Sequence, residues 1–394
     1  MPISVRPKVY TLPSYSLTGD LIGFLRCGLQ YRYTRIGRLP PSRPVQLWFG
    51  EFIHGVLEEA YRRYKDSVTR GKPNLPPWSV AEIDSIRGLI KARLAARGLI
   101  PWDPDLEDLG DRRAETSVQE LGPHLFQIIH KAEVRLNGAR MLPPIEKKLQ
   151  FREADRYEIV GIVDVVTHVE LNDPALVKNP LVQLLIKALP TAPKGKFEVI
   201  VDYKGMRRPA AMGLVKGSLW DQYAWQVQTY AELRRKQADS LPVAAGVLLY
   251  VNELLPTQSD LEALKKEIKG GLTDVPPDAG SKEEALIKAW TPGKPVPSLP
   301  LAYRLARALR VIPVDAKSIQ VALGSFDTVV KSIETCRGRE LSGIGVTKAW
   351  ERNADDESTC VVCDSRTFCP EYQKQYARKH GESQPRLPGV KKKT

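Results

Sequence analysis

The chain has 394 residues, of which 42% are hydrophobic and 27% charged, with a formal net charge of +13. This composition is ordinary for a soluble globular protein, and no apolar run reaches the roughly 18–20 residues of a membrane-spanning helix. The N-terminus lacks a secretory signal pattern and five cysteines are too few for a disulfide framework, so we expect a cytoplasmic protein. The excess of 59 basic over 46 acidic residues favours nucleic acid as a partner, and a charge that serves only solubility is the alternative.

The first part of the chain predicts helices. Apolar side chains recur every three or four residues in 19–33 and again in 51–64, which is the pattern of a helix with one buried face. Two further helices are expected over 79–97 and 115–138. His54 lies beside the apolar stripe of the second helix. A neutral imidazole there can ligate a metal, and a histidine satisfied within the core is the alternative.

Strand patterns come next. Residues 145–154 and 157–170 predict a hairpin-like pair, and residues 196–205 alternate between apolar and polar side chains. A helix is expected over 220–237, followed by another strand over 242–253. This succession of elements indicates an α/β protein with a mixed sheet.

The rest of the chain is less regular. Residues 270–300 are rich in proline and glycine and predict a linker, after which 301–350 predict helices. The chain lacks the G-x-x-x-x-G-K-[ST] segment of an ATP-driven motor. We expect four regions: a helical region over 1–140, a mixed-sheet core over 141–260 with an insertion at about 171–196, a linker and helical region over 261–350, and a C-terminal segment with a basic tail over 351–394.

Two of the predicted strands carry charged residues in apolar surroundings. Asp202 and Lys204 lie two residues apart in VIVDYKG, so both side chains project from the same side of the strand. Asp164 lies within another apolar strand, VGIVDVV. Two carboxylates from neighbouring strands can hold Mg²⁺, and a nearby lysine can offset negative charge on a phosphate. A buried Asp–Lys pair without chemistry is the alternative.

The helix that follows carries Gln226 and Tyr230 on one face, four residues apart. A glutamine can hydrogen-bond a phosphate, and a tyrosine offers a phenol to a phosphate or a ring to a base. A surface glutamine above a half-buried tyrosine is the alternative interpretation.

The cysteines indicate a metal site. Cys360, Cys363 and Cys369 form the pattern C-x2-C-x5-C, and such a site normally needs four ligands. One candidate for the fourth ligand is Cys336, which would complete a zinc site. Zinc sites usually contain two paired C-x2-C motifs, and only one such pair is present here.

The order of these motifs resembles that of PD-(D/E)XK nucleases of the RecB type. The motifs, in order, are Cys27, GEFIHGVLE, GIVDVV, VIVDYKG, QVQTY and C-x2-C-x5-C. They are most similar to the iron–sulfur branch, which includes the AddB nuclease domain and the small exonucleases of CRISPR adaptation. The resemblance covers about 14–66, 145–253 and 355–372. It departs from the family in the long segment between Asp164 and Asp202 and in the absence of a proline after Cys27.

The resemblance implies a restriction-endonuclease-like fold, a mixed central sheet flanked by helices, whose N- and C-terminal segments are joined by a four-cysteine cluster. For the metal site it implies His54, Asp164, Asp202 and the backbone carbonyl of Tyr203. For catalysis it implies Asp164, Asp202, Lys204, Gln226 and Tyr230. For a [4Fe–4S] cluster it implies Cys27, Cys360, Cys363 and Cys369.

The resemblance also implies the activity: a DNA exonuclease that uses Mg²⁺ or Mn²⁺, acts on single strands or duplex ends, and serves DNA repair, recombination or phage defence, including CRISPR adaptation. A helicase or a CRISPR integrase is the expected partner. One alternative is a non-catalytic DNA-binding subunit of a helicase complex, although the intact set of Asp164, Asp202 and Lys204 argues against it. Another is a zinc-bearing scaffold, which leaves the Asp-x-Lys strand unexplained.

Overall fold

A computed structural model describes residues 12–39, 42, 45–152, 154–191, 193–210, 219–352 and 357–380. The basic C-terminal ending lies outside these residues. The described residues form two compact units. The smaller unit contains the residues up to 42, residues 139–160 and the residues from 324 onwards, and the larger unit contains 43–138 and 161–323.

Helices and strands are mixed along the chain, which confirms the α/β class. The strands are β1 (Ser14–Ser16), β2 (Ile129–Met141), β3 (Arg156–Glu170), β4 (Lys196–Lys204), β5 (Val243–Tyr250) and β6 (Leu309–Pro313). The α-helices are α1 (Gly23–Arg26), α2 (Gly28–Tyr31), α3 (Val45–Thr69), α4 (Val80–Ala96), α5 (Pro104–Thr116), α6 (Gly122–Leu125), α7 (Pro174–Val177), α8 (Pro180–Ala188), α9 (Leu219–Arg235), α10 (Gln258–Lys269), α11 (Lys282–Ala289), α12 (Leu301–Ala308), α13 (Ala316–Leu341), α14 (Val346–Ala349), α15 (Glu357–Val361) and α16 (Pro370–His380). Within the described ranges, no helix is long and apolar enough to cross a membrane.

The sheet of the larger unit is mixed, as predicted. Strand β4 pairs antiparallel with β3 and parallel with β5. Strand β5 pairs antiparallel with β6, with Leu248 opposite Arg310. Both faces of β4 are buried, so Glu198 and Asp202 are buried along with the apolar side chains of this strand.

Helices cover both faces of this sheet. On one face, Val227 of α9 packs against Leu248 and Tyr250 of β5. On the other face, Phe52 and Val56 of α3 share a large core with the odd-numbered residues of β4. The even-numbered residues of β4, including the predicted Asp202, therefore face α9.

In the smaller unit, the first and last described segments of the chain meet. Cys27 separates α1 from α2 and has an extended backbone, with φ −164° and ψ 113°, so the predicted helix over 19–33 is interrupted there. The Arg32 guanidinium donates to both carboxylate oxygens of Glu340, at 2.7 and 2.6 Å. The backbone N–H of Leu29 donates to the carbonyl of Glu351 at 3.2 Å. An ion pair and a backbone hydrogen bond thus connect the first and last described segments of the chain.

Two predictions around β3 were wrong. The expected helix over 115–138 ends before residue 129, because the chain there forms β2 and pairs with β3. Strand pairing outweighs the helix preference of residues such as Ala132 and Leu136. In the described part of 145–154, the chain forms a 3₁₀ turn and irregular structure, so β3 pairs with β2 and β4 but not with this segment.

Two more predictions missed regular elements. The expected linker over 270–300 contains α11, whose Ile287 packs with Trp290 and with Leu264 of α10 in a small apolar cluster. The expected helices over 301–350 are interrupted by β6, which is added to the sheet beside β5. The insertion at about 171–196 forms α7 and α8, and Leu185 of α8 enters the main core.

Candidate active site and cysteine cavity

Asp164 and Asp202 lie on neighbouring strands, just beyond the end of the ladder that joins them. The last paired residues at this end are Val165 and Val201, so each of the two carboxylates lies one residue beyond the ladder. Oδ2 of Asp164 also accepts a hydrogen bond from the N–H of Tyr203 at 2.7 Å. The structure therefore places the two predicted carboxylates near each other, close enough for the charge of Asp164 to act on the Asp202 carboxyl group.

Lys204 and Gln226 complete a closed network around Asp202. The Lys204 ammonium forms an ion pair with Oδ2 of Asp202 and donates a hydrogen bond to Oε1 of Gln226 at 3.0 Å. The amide nitrogen of Gln226 donates to Oδ1 of Asp202 at 3.1 Å. The ring of Tyr223, which the sequence analysis did not single out, lies 4.2 Å from the ammonium and stabilises its charge.

Burial governs the protonation of Asp202, which is 6% exposed. Desolvation raises the pKa of its carboxyl group. The Lys204 ammonium lowers this pKa and the negative charge of Asp164 raises it, and the net shift is upward. Apart from the ion pair with Lys204, Oδ2 of Asp202 accepts no hydrogen bond from any described residue. Spare acceptor capacity beside a second carboxylate favours a bound cation.

His54 reaches the same place from α3. Its Nδ1 is 3.5 Å from Oδ2 of Asp164, and its ring meets the ring of Tyr203 edge to face with centroids 5.5 Å apart. Burial alone would lower the pKa of His54. The contact with Asp164 and the charges of Asp202 and Glu133 outweigh burial, so the pKa is raised. The histidine is thus placed to pair with the carboxylates or, when neutral, to ligate a metal beside them.

Tyr230 packs against β3. It is 3% exposed, and a Cβ added to Gly161 would lie 2.3 Å from Cε1 of its ring. Glycine is therefore required at 161 for this close approach. Because Tyr230 lies one turn after Gln226 on α9, its contact with β3 sets the depth of the helix and the position of the Gln226 amide.

A cleft of about 700 Å³ opens beside His54 and Asp164. Other charged residues also line it: Glu51, Glu58, Arg93, Arg97 and Glu133. Burial and the charges of Asp164 and Glu58 raise the pKa of Glu133 to about 7. Glu133 was not predicted as a site residue because its segment was expected to be helical. A strand beside β3 would have brought this carboxylate toward Asp164.

Four cysteines line one cavity in the smaller unit. The cavity has a volume of about 20 Å³, and the thiols around it belong to Cys27, Cys360, Cys363 and Cys369. Nη2 of Arg352 donates a hydrogen bond to the sulfur of Cys360 at 3.1 Å. Burial and the other three thiols raise the pKa of Cys363. The structure therefore brings the four predicted cysteines around one small space.

The fifth cysteine lies elsewhere. Cys336 is on α13, where burial raises the pKa of its thiol, and it is not among the residues that line the cavity. All five cysteines are free thiols. In the part of the chain that the structure describes, no three His, Cys, Asp or Glu side chains are close enough to hold a metal ion as they stand. The cavity and the acidic site thus contain suitable donor atoms, but these atoms are not spaced as in a metal-bound site.

One comparison with known protein families bears on the acidic site. Residues 19–175 match the family model of the PD-(D/E)XK nuclease superfamily. The match supports a PD-(D/E)XK nuclease domain over these residues and thereby suggests a nuclease. The mixed sheet with helices on both faces is consistent with that fold. No curated protein matches the chain.

The PD-(D/E)XK match contains His54, Glu133 and Asp164 and ends before β4. Asp202 and Lys204 lie beyond it, and the structure relates them to the matched region because β4 pairs with β3. The match does not extend to the cysteines at 360–369.

Proposed function

We propose that this protein is a RecB-type metal-dependent deoxyribonuclease that hydrolyses phosphodiester bonds as an exonuclease, with Mg²⁺ or Mn²⁺ as cofactor. The observation that carries the proposal is the closed network of Asp202, Lys204 and Gln226 beside Asp164. A buried ion pair contributes little to stability, so the position of the Asp202–Lys204 pair next to a second carboxylate favours a catalytic role over a structural one. The PD-(D/E)XK match of residues 19–175 supports the same class of enzyme.

Asp164 and Asp202 would hold the cation, with His54 and the backbone carbonyl of Tyr203 as further ligands. Carboxylate and carbonyl oxygens are the donors that Mg²⁺ and Mn²⁺ prefer. The donor set fits because Oδ2 of Asp202 has spare acceptor capacity and the adjacent negative charges need compensation. A cation bound there supplies Lewis acidity toward a phosphate oxygen.

The neighbouring side chains would prepare the site for a phosphodiester. Lys204 is held from two sides, by Asp202 and by Gln226, so its charge is fixed before DNA arrives. A preorganised ammonium stabilises the negative charge that develops on a phosphate during hydrolysis. Gln226 would orient Lys204, and Tyr230 would keep α9 at the depth that Gln226 requires.

We further propose that Cys27, Cys360, Cys363 and Cys369 bind a [4Fe–4S] cluster with a structural role. The four thiols surround one cavity, and the position of Cys336 outside it speaks against a zinc site that uses this residue. A hydrogen bond to a cysteine sulfur, such as that from Arg352, is a known means of tuning such clusters. The cluster would reinforce an attachment that the pair of Arg32 and Glu340 already makes.

The substrate would be linear DNA, drawn by the net charge of +13, as single strands or duplex ends. The process would be DNA repair, recombination or phage defence such as CRISPR adaptation, with a helicase or a CRISPR integrase as partner. An end-processing nuclease needs another machine to expose or use the DNA end, which is the reason for expecting such partners.

The nuclease proposal is tested with labelled linear DNA and Mg²⁺ or Mn²⁺. The wild type should degrade the DNA, whereas Asp202→Asn and Lys204→Ala should bind it without cleavage. Lys236→Ala, which removes an exposed lysine near the end of α9, is the matched control and should cleave normally. DNA binding without any cleavage by the wild type would favour the alternative of a non-catalytic subunit. Equal cleavage by the wild type and both site variants would refute the assigned residues.

The cluster proposal is tested by anaerobic purification and analysis of iron and acid-labile sulfide. The wild type should be brown, Cys27→Ser should lose the colour and most of the iron, and Cys336→Ser should keep both. A colourless protein that carries zinc would overturn the assignment of an iron–sulfur cluster.

A further inference from the structure

The smaller unit contains a second cleft, which the proposed nuclease chemistry does not use. Its volume is about 270 Å³, near the lower end of the roughly 300–1,000 Å³ typical of ligand pockets. Four arginines from three separate segments line it: Arg35, Arg38, Arg152 and Arg337. We call this the arginine cleft.

Two of the four arginines already have carboxylate partners. Arg35 donates to both oxygens of Asp20, each at 3.2 Å. Arg152 donates through Nε to Glu334 at 2.8 Å, and Glu334 also accepts from the hydroxyl of Tyr15. These pairs fix the walls of the cleft and neutralise half of its positive charge.

The other two arginines lack such partners. Among the described residues, no carboxylate lies within 4 Å of the guanidinium of Arg38 or Arg337. Asp20 also lines the cleft, but its oxygens already accept hydrogen bonds from Ser16 and from Arg35. The cleft therefore has two guanidinium groups that form no ion pair with a described residue, on side chains that present five donors each in a planar fork.

Such a site selects a compact anion with several acceptor oxygens. Arginine forks match phosphate bidentately, and paired arginines bind it more strongly than a single charge does. The backbone of Arg38 lies in the left-handed region, with φ 54°, which few residues other than glycine adopt. The surrounding fold thus holds Arg38 at the cleft at a conformational cost.

We propose that the arginine cleft binds a phosphate group of DNA, separately from the site of Asp164 and Asp202. This inference rests on the proposed function for its choice of ligand, because a nuclease meets phosphate both in its substrate strand and in the nucleotides that it releases. The shared chemistry is the phosphate group, and the two sources are separated by experiment.

The test uses the full chain with Asp202→Asn, so that bound DNA stays intact. Binding of a labelled single-stranded oligonucleotide is measured by fluorescence anisotropy over a series of salt concentrations, and binding of a deoxynucleoside monophosphate by calorimetry. Arg38→Gln with Arg337→Gln removes the two unpaired charges. The matched control, Arg156→Gln with Lys331→Gln, removes two exposed charges from the same unit outside the cleft.

If the strand is the ligand, the cleft variant should bind the oligonucleotide about tenfold or more weakly, since two charge-assisted contacts are lost. The plot of log K against log salt should become shallower by roughly one, at about 0.7 per phosphate of a single strand. If the released nucleotide is the ligand, binding of the monophosphate should disappear instead. Arg38→Lys with Arg337→Lys should recover part of either loss.

The proposal fails if the cleft variant and the control variant behave alike for both ligands, because general surface charge would then explain the binding. Thermal melting of each variant shows whether it is folded. Cleavage by the wild type is measured separately. A protein that binds phosphate without cutting DNA would overturn the nuclease proposal and would still support phosphate binding by the arginine cleft.

Discussion

Replacing Gly161 by alanine tests whether the packing of α9 on β3 positions the candidate active site. The added Cβ would lie 2.3 Å from Cε1 and 3.0 Å from Cδ1 of Tyr230. Carbon atoms in contact normally lie about 3.5–4.0 Å apart, so ring and strand must separate by about 1 Å or more. Because Tyr230 is buried, the ring cannot swing into solvent and α9 has to move with it.

This movement has two consequences of different size. Overpacking in a core typically lowers the free energy of unfolding by about 1–3 kcal/mol. Gln226, one turn earlier on α9, would move away from Lys204 and Asp202, to which its hydrogen bonds are now 3.0 and 3.1 Å long. A misplacement of about 1 Å can reduce a rate by roughly 100-fold. We therefore expect a folded protein that binds DNA and cleaves it about 100-fold more slowly.

Urea denaturation measures the stability term, and single-turnover cleavage at saturating metal measures the rate. Tyr230→Leu combined with Gly161→Ala should restore part of the rate, since the smaller side chain makes room for the methyl group. Gly88→Ala is the matched control: nothing lies within 4 Å of its added Cβ, and alanine in a helix stabilises by up to about 1 kcal/mol. Wild-type stability and rate in Gly161→Ala would refute the reasoning.

Three further changes test other parts of the larger and smaller units. Glu198→Ala removes one of the two carboxylate partners of the buried Arg234 guanidinium, held at 2.8 and 2.7 Å, and leaves Asp239 as the other, so it should cost about 1–3 kcal/mol in urea denaturation; an unchanged stability would contradict this. Burial raises the pKa of Asp327, but hydrogen bonds, first of all from Arg140, outweigh burial, so the net shift of this pKa is downward. The ionised carboxylate therefore stabilises the fold at pH values above about 3.9, the pKa of an aspartate in the unfolded chain. Asp327→Asn should therefore lower the free energy of unfolding at pH 7 by about 2 kcal/mol, and the melting temperature should fall with it. This difference in stability between the wild type and the variant should shrink as the pH falls below about 4; if it did not change with pH, the ionised carboxylate would not be the source of the stability. Gln226→Leu should slow cleavage at least tenfold with unchanged DNA binding, and an unchanged rate would show that its amide does not orient the lysine.

Where the local pattern was strong, the sequence predicted the element correctly. The spacing of apolar residues in 51–64 lies within α3, and the alternation in 196–205 corresponds to β4. Where the sequence pattern was weak, partners far away in the sequence decided the structure. Strand β2 forms because β3 is beside it, and β6 forms because β5 offers an edge, neither of which a local window contains.

The candidate site was predictable where one short motif carried it. Asp202 and Lys204 share one strand, and Asp164 interrupts an apolar run, so their placement together follows from strand pairing. Glu133 was missed because its place beside Asp164 depends on β2, which the sequence did not reveal. Tyr223 was missed because no sequence pattern indicates that a tyrosine ring contacts the ammonium group of a lysine on another element. The roles of all these residues in catalysis stay predictions.

The smaller unit can be completed only late in the synthesis of this protein. Cys27 lies 333 residues before Cys360, and the whole larger unit is encoded between them. At roughly 5–20 residues per second, a ribosome needs tens of seconds to pass from the first thiol to the other three. During that time all residues of the larger unit are synthesised, while the N-terminal segment still lacks α13 and the residues after it. A nascent chain released before residue 357 would thus carry a complete set of nuclease residues and an unfinished cysteine cavity.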